Sequence, residues 1–210
     1  MSMTATTSVP LSSPRAERTR ASILQAASRL FSAGGYAQVS MDEVAAEAGV
    51  TKPTVYAHFG SKEALFETLI TEVISRSHGG ELLSAQNVDE VGEAMFEWSR
   101  NRLNWLLSDD TVGLMRAASA EGLRRPDWAQ NLLAGFDFGA MERWLAELDD
   151  AGVLEVESPS TAAALFTALT KGTLFYPVLV AGQPITPEPD RDVLIREAVR
   201  VFLAAYTPKK

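Results

Sequence analysis

The sequence predicts an all-α protein in two parts, and two observations carry this prediction. The long segments after residue 60 repeat their apolar residues at three- and four-residue spacing, which is the period of a helix rather than a strand. Residues 39–62 contain the capping and turn residues expected of two short helices joined by a tight turn. We therefore predict an N-terminal three-helix DNA-binding domain with a helix-turn-helix, followed by a larger helical domain.

Three segments are predicted along the chain. Residues 1–14 contain Ser, Thr and Pro without the apolar centre of a signal peptide, so we predict a disordered tail, with a transit peptide as the weaker alternative. The small domain is predicted at 15–60 and the larger one at 61–207. The absence of cysteine excludes disulfides and fits a reducing compartment, and cytoplasm is the expected location.

The helix-turn-helix is predicted from its helix caps. Ser40 and Glu43 have the spacing of a capping box, which begins a helix at Met41. Gly49 suits the left-handed conformation that ends such a helix. Thr51 is then the expected N-cap of a second helix, whose first turn tolerates Pro53 because the N–H groups there have no partner within the helix.

The next helix is predicted from Ser61 to about Gly79, because its apolar residues form one continuous stripe. The stripe consists of Leu65, Phe66, Leu69, Ile70, Val73 and Ile74. Further helices are predicted near 88–107, 111–124, 127–150, 159–181 and 188–206. Proline and glycine positions supply the breaks between them.

The segment from Thr161 to Val180 is the most apolar in the chain. Lys171 at its centre and Pro177 argue against a membrane span, so we expect no membrane association and predict a helix buried on more than one face. The final helix also has a broad apolar face. We predict that these two helices form a homodimer interface that includes Phe166, Leu169, Thr173, Ile195, Val199 and Phe202.

The net charge of −8 is distributed unevenly. Through Lys62 there are six basic and four acidic residues, a net charge of +2, whereas the remainder has 13 basic and 23 acidic residues, a net charge of −10. An acidic body behind a mildly basic head favours one orientation of approach to DNA.

A family resemblance rests on five stretches in a fixed order. They are Ile23-Leu24-Gln25-Ala26-Ala27, Gly34-Gly35-Tyr36, the block from Ser40 to Val50, Thr51-Lys52-Pro53-Thr54-Val55-Tyr56 with His58-Phe59, and Ser61-Lys62-Glu63-Ala64-Leu65. Over about residues 15–75, this pattern resembles the N-terminal domain of the tetracycline-repressor (TetR) family of ligand-controlled bacterial transcription regulators. The resemblance implies a homodimer that binds a double-stranded DNA operator and is controlled by a small-molecule effector.

The resemblance also implies which residues contact DNA. Groove contacts are expected from Thr51, Lys52, Pro53 and Thr54, and phosphate contacts from Ser40, Tyr56, His58 and Lys62. Packing within the small domain is the alternative for Tyr56 and His58, and simple solvation is the alternative for Lys62. Pro53 stands where many relatives have glycine, so the operator sequence cannot be transferred from relatives. A palindromic site is expected because a dimer places two recognition helices on one duplex.

An effector cavity is implied in the second domain, and large apolar side chains there suit an apolar or amphipathic ligand. The expected lining residues are Phe96, Trp105, Met115, Phe136, Trp144, Phe175 and Tyr176. The alternative for each of these residues is ordinary core packing. The expected role is that of a repressor.

The main alternative class is an enzyme, and the residues do not favour it. His58 and His78 belong to no metal-binding pattern, and no phosphate-binding glycine loop is present. The acidic pairs Asp109-Asp110 and Asp149-Asp150 are typical of helix boundaries. We predict no catalytic residues, no metal and no cofactor. A helical protein-interaction module is the third alternative.

Overall fold

The computed structural model describes residues 13–78, 84–134 and 139–209. Within these ranges the secondary structure is helical throughout, which confirms the predicted fold class. The helices are α1 (Pro14–Gln38), α2 (Met41–Glu47), α3 (Lys52–Phe59), α4 (Lys62–His78), α5 (Val88–Leu106), α6 (Asp109–Arg124), α7 (Pro126–Ala134), α8 (Ala140–Asp150), α9 (Pro159–Leu174), α10 (Tyr176–Ala181) and α11 (Glu188–Tyr206).

Helices α1 to α3 form the head, and α5 to α11 form the body, with α4 between them. The start of α2 follows the predicted capping box: Ser40 Oγ accepts from Glu43 N at 3.2 Å, and the Glu43 carboxylate accepts from Ser40 N at 2.7 Å. Gly49 has a φ of 67°, as expected for the residue that follows a helix C-terminus. At the start of α4, Ser61 Oγ accepts from Ala64 N at 3.0 Å.

The helix α1 contains a break within the Gly34-Gly35-Tyr36 stretch. Gly35 has a φ of 73° and a ψ of 169°, which takes it out of the helical region. A residue with a Cβ rarely adopts this conformation. The break places Tyr36 against Phe31 and Phe66, with ring centroids 6.1 and 4.9 Å apart, respectively.

The core of the head continues into the body. The stripe predicted along α4 is buried in one cluster with Ile23, Phe31, Val44 and Phe59 of the head. The same cluster contains three residues from α6 and α7, namely Leu114, Ala117 and Trp128. The α1 helix packs along α6. Apolar burial is the main source of cohesion in such a cluster, so the head and body share a stabilising core.

The second core lies inside the body, where α5, α8, α9 and α11 converge. Phe166 and Phe202 are fully buried at its centre, with ring centroids 5.3 Å apart in an edge-to-face arrangement. The α11 helix packs on both α5 and α9. These helices therefore enclose the core of the body.

Two predicted helix boundaries are wrong. The segment predicted as one helix over 127–150 contains α7 and α8, and Gly139 is the N-cap residue of α8. The segment predicted as one helix over 159–181 is divided at Phe175, because Pro177 follows at the start of α10 and cannot donate to the preceding turn. None of the described helices combines the length and apolar character needed to cross a bilayer.

Candidate nucleic-acid interface

The recognition helix α3 has one buried and one exposed side. Val55 and Phe59 are buried in the head core. Thr51, Lys52, Pro53 and Tyr56 are exposed, while Thr54 is half-buried. The residues predicted to read the groove therefore share the first turn of one short, solvent-facing helix.

The structure corrects the predicted capping role of Thr51. This residue occupies the N-cap position, but its side chain makes no hydrogen bond to the backbone of the first turn. Thr51 Oγ1 instead lies 2.8 Å from Thr54 Oγ1. The two hydroxyls are therefore held together at the exposed end of the helix, where each retains capacity to bond a base edge or a phosphate.

Lys52 is paired within the head. Its Nζ donates to Asp42 Oδ2 at 2.8 Å, across the turn between α2 and α3. The hydrogen bond and charge of Asp42 raise the pKa of Lys52. Both side chains are largely solvent-exposed, so the pair contributes little to stability. A phosphate can compete with Asp42 for the same ammonium group.

The four predicted phosphate contacts lie in different settings. Ser40 is exposed at the capping box, Tyr56 is 43% exposed, and His58 is half-buried. Lys62 is also half-buried: its Nζ lies 4.5 Å from the ring centroid of Tyr36 and donates to Ala37 O at 3.4 Å. Burial lowers the pKa of Lys62. The Lys62 side chain is therefore not simply solvated, because the Tyr36 ring and the Ala37 carbonyl already hold its ammonium group in one orientation.

Five of the seven residues predicted to line an effector cavity lie in or against the body core. Phe96, Trp144 and Phe175 are buried in the body core, Met115 and Trp105 are half-buried against it, and Tyr176 is 48% exposed. Phe136 lies outside the described residues. Trp105 borders a cavity of about 620 Å³ between α1, α4 and α6.

Another cavity opens at the surface of the body, with a volume of about 380 Å³. Of the predicted residues it includes only Tyr176. We call it the body cavity, and its walls are Trp98 and Arg102 of α5, Met141 and Glu142 of α8, Ser160, Ala163, Ala164, Thr167 and Ala168 of α9, and Tyr176 of α10. The sequence prediction missed Arg102 because it rested mainly on large apolar side chains.

The residues predicted at the dimer interface divide into two groups. Phe166, Ile195, Val199 and Phe202 pack inside the chain's own core, with at most 6% of their surface exposed. Leu169 is half-buried and Thr173 is exposed. Large apolar side chains that are exposed on α9 and α11 are Leu165, Val193, Leu194 and Val201.

Among the residues that the structure describes, three polar contacts join the body to α4 and the head. Arg125 pairs with Glu63, and Trp128 Nε1 donates to Glu67 Oε1 at 2.7 Å, so both link α4 to the α6–α7 corner. Ser32 Oγ donates to Asp110 O at 2.6 Å, linking α1 to α6. A movement of α6 therefore reaches both α1 and α4 directly.

Comparison with known proteins agrees with this architecture. Residues 23–69 match the family model of bacterial regulatory proteins of the tetR family, and residues 93–208 match that of the C-terminal domain of AefR-like transcriptional repressors. In Mycolicibacterium smegmatis, the HTH-type transcriptional regulator EthR is 39% identical over 67 residues, which is 32% of this chain and 31% of EthR. The match thus spans about a third of that relative's length.

Solved structures match over nearly the whole chain. A TetR-family regulator from Pseudomonas syringae pv. tomato str. DC3000 has a TM-score of 0.75 at 26% identity, covering 92% of this chain and 99% of that one. The flavonoid-responsive regulator FrrA has a TM-score of 0.69 at 29% identity, covering 92% and 100%, respectively. With its helix-turn-helix head and helical body, the chain belongs to the tetR family of bacterial transcriptional regulators.

Proposed function

We propose that the protein is a homodimeric repressor that a small molecule releases from a palindromic operator. The observation that carries this proposal is the recognition helix, whose buried side anchors it to the head while Thr51, Lys52, Pro53 and Tyr56 face solvent. The match of the body to AefR-like repressors supports the repressor role.

Groove contacts are assigned to the first turn of α3. Thr51, Lys52, Pro53 and Thr54 lie there, and the paired hydroxyls of the two threonines can act as donors or acceptors to base edges. Few of these groups are strong donors. We therefore propose that DNA shape and half-site spacing supply part of the specificity.

Phosphate contacts are assigned to Tyr56 and His58 on the recognition helix, and to Ser40 and Lys62, which precede and follow it in the chain. A tyrosine hydroxyl and a lysine ammonium are ordinary phosphate donors. The charge distribution supports this assignment, since the acidic body favours an approach in which the head meets the duplex first.

The dimer is assigned to the outer faces of α9 and α11. Leu165, Leu169 and Gly172 follow helical spacing along one side of α9, and Leu194 and Val201 do so on α11. These residues, rather than the buried Phe166 and Phe202, would make the contact. Exposed apolar side chains concentrated on two adjoining helices are typical of a protein interface.

Release is assigned to a shift of α6 that follows effector binding in the body. Arg116 of α6 donates to the carbonyl oxygens of Val178 at 2.6 Å and Leu179 at 3.0 Å, which ties α6 to α10 beside the body cavity. The α6 helix in turn contacts both α1 and α4. A tenfold release of operator requires about 1.4 kcal/mol of difference in ligand affinity between the two states.

The test is fluorescence polarisation of labelled DNA from upstream of the protein's own gene, titrated over a salt series beside an unrelated duplex of equal length. Selective binding supports the proposal if the logarithm of the binding constant falls linearly with the logarithm of the salt concentration, because phosphate contacts release counterions. Equal binding to both duplexes would instead favour a helical interaction module. Operator selectivity that depends on a symmetric pair of half-sites would support the dimer.

A further inference from the structure

The ammonium group of Lys62 is held by an aromatic ring and a backbone carbonyl. Its Nζ lies 4.5 Å from the ring centroid of Tyr36 and donates to Ala37 O at 3.4 Å. Within the described part of the chain, no carboxylate forms an ion pair with Lys62, whereas Lys52 is paired with Asp42. A phosphate that reaches Lys62 therefore has no carboxylate to displace.

The ring of Tyr36 is fixed from several sides. The break at Gly35 turns the end of α1, and the Tyr36 ring centroid then lies 6.1 Å from that of Phe31 and 4.9 Å from that of Phe66. Phe31 and Phe66 are at most 1% exposed, and Phe66 stacks on Trp128 of α7. The Tyr36 ring therefore cannot turn without repacking the core that the head shares with the body.

The environment of Lys62 strengthens its contact with the ring. Burial lowers the pKa of Lys62, while the charges of Glu121 and Glu43 raise it. A cation that has lost part of its water is attracted to an aromatic face more strongly than an exposed one. The same loss of water strengthens its attraction to a phosphate.

A ring and a carboxylate hold a cation in different ways. A carboxylate cancels the charge of its partner, as Asp42 does for Lys52. The Tyr36 ring orients the ammonium group of Lys62 without an opposing net charge, because burial raises the pKa of Tyr36 and the ring is a neutral phenol at neutral pH. Packing in the core explains why Tyr36 contacts Phe31 and Phe66, but it does not explain the ammonium group over the ring.

We propose that Tyr36 is a positioning residue for DNA binding, whose ring holds the ammonium group of Lys62 ready for an operator phosphate. This inference rests on the proposed function, in which Lys62 contacts the DNA backbone. Tyr36 acts through Lys62 and does not contact DNA itself. A long side chain that is already oriented loses less conformational entropy on binding, so the contact is stronger than that of a free lysine.

The first test is a double-mutant cycle in the operator polarisation assay. Tyr36→Leu should weaken operator binding about three- to fivefold, which corresponds to the loss of one partly exposed cation–π contact. Tyr36→Phe keeps the ring and should stay within about twofold of the unaltered protein. In the Lys62→Met background, Tyr36→Leu should cause no further loss. An equal loss in both backgrounds would mean that Tyr36 only supports the fold, and would overturn the proposal.

The second test needs no DNA. The face of an aromatic ring shifts the NMR signals of nearby protons upfield, so the Hε protons of Lys62 should resonate upfield of those of an exposed lysine. Lys62→Met identifies these signals by removing them. The shift should persist in Tyr36→Phe and disappear in Tyr36→Leu, while circular dichroism verifies that both variants fold. Signals at the ordinary lysine position in the unaltered protein would overturn the proposal.

The two tests distinguish this inference from the proposed function. If the unaltered protein binds its operator selectively but Lys62→Met leaves the affinity and its salt dependence unchanged, the regulator stands and the positioning role of Tyr36 is wrong. If the unaltered protein shows no selective binding to DNA, the proposed function fails, and the inference that rests on it fails as well.

Discussion

Gly113 of α6 and Ser32 of α1 approach so closely that no side chain fits between them. A Cβ added to Gly113 would lie 2.8 Å from both the Cβ and the carbonyl oxygen of Ser32. The Ser32 hydroxyl also donates to Asp110 O, one turn earlier in α6. The helices α1 and α6 are therefore in backbone contact at the point where the head meets the body, and α6 cannot shift without displacing α1.

The first prediction concerns this contact. Gly113→Ala should lower the free energy of unfolding by about 1 to 3 kcal/mol, because the carbonyl of Ser32 can move away only with its helix. Urea denaturation followed by circular dichroism measures the change. Gly92→Ala is the matched control, since the nearest atom there is the flexible Leu203 Cδ1 at 3.3 Å. Equal losses in both variants would mean that the α1–α6 contact has no special rigidity.

The second prediction concerns the pair of Lys52 and Asp42. Asp42→Asn frees the ammonium group and removes a negative charge beside the recognition helix, so operator affinity should rise several-fold at low salt. Lys52→Met should weaken it. If Lys52 contacts a phosphate, Lys52→Met should also make the slope of log affinity against log salt concentration shallower by about 1.

Polarisation titrations of the two single variants and the double variant measure the coupling free energy between these residues in operator binding. The gain from Asp42→Asn should disappear in the Lys52→Met background if it comes from the released ammonium. A gain that persists there would mean that Asp42 acts by simple repulsion of the duplex.

The third prediction separates the outer and inner faces of the proposed interface helices. Val201→Glu should convert the proposed dimer to a monomer and abolish operator binding, with little change in the helical content of the protein. Phe166→Ala should instead lower stability by about 3 to 5 kcal/mol, because it empties space in the chain's own core. Sedimentation velocity and thermal unfolding distinguish the two effects. Leu123→Glu alters a side chain that is 85% exposed at the end of α6, and should remain dimeric.

The fourth prediction concerns the link between α6 and α10. Arg116→Met removes two hydrogen bonds to backbone carbonyls of α10 while leaving the body cavity intact. In the unaltered protein, saturating effector lowers operator affinity by a certain factor. In Arg116→Met this factor should be at least threefold smaller. Effector affinity measured without DNA should change much less. An unchanged ratio would exclude this link from the release mechanism.

The fifth prediction is a pH dependence of stability due to Lys171. Its folded-state pKa of about 8 lies below the ordinary value of 10.5, so the unfolded state binds more protons between these values. Stability should therefore rise with pH across that window. The penalty on the folded protein at pH 7 is on the order of 3 kcal/mol at most.

Lys171→Met removes this penalty and should be more stable than the unaltered protein at pH 7, with the difference shrinking by pH 9.5. Among the residues that the structure describes, Arg102 on α5 lines the same space as Lys171 and Glu142 on α8 lines the adjoining body cavity, and both are unchanged in the comparison. Urea denaturation at several pH values measures the difference. If the stability difference between the two proteins stayed constant from pH 7 to pH 9.5, the ammonium group of Lys171 would be solvated rather than buried.

Local chemistry made the head predictable from the sequence. Ser40, Glu43 and Gly49 determine the ends of α2 through contacts within a few residues, so sequence spacing alone contains the information. The same holds for the apolar stripe of α4. The pairing of Lys52 with Asp42 depends on the angle between two helices, and no sequence pattern expresses that angle.

The body was less predictable, because apolar periodicity indicates that a side chain is buried without saying what covers it. Phe166 and Phe202 were predicted at an interface, but they are covered by the chain's own helices. The sequence shows Lys171 as a single charge within an apolar segment. This position argues against a membrane span but does not indicate which residues surround the side chain. Its proximity to Arg102 depends on the packing of α9 against α5, which the sequence does not reveal.

The shared core of the head and body limits how this regulator can be recombined with others. Phe66 of α4 stacks on Trp128 of α7, with ring centroids 6.0 Å apart, and the cluster also includes Leu114 and Ala117. A chimera joined at residue 60 or 75 would leave these apolar faces mismatched on both sides. Transplanting the DNA specificity of this protein onto another sensor therefore requires the matching surfaces of α6 and α7 as well as the head.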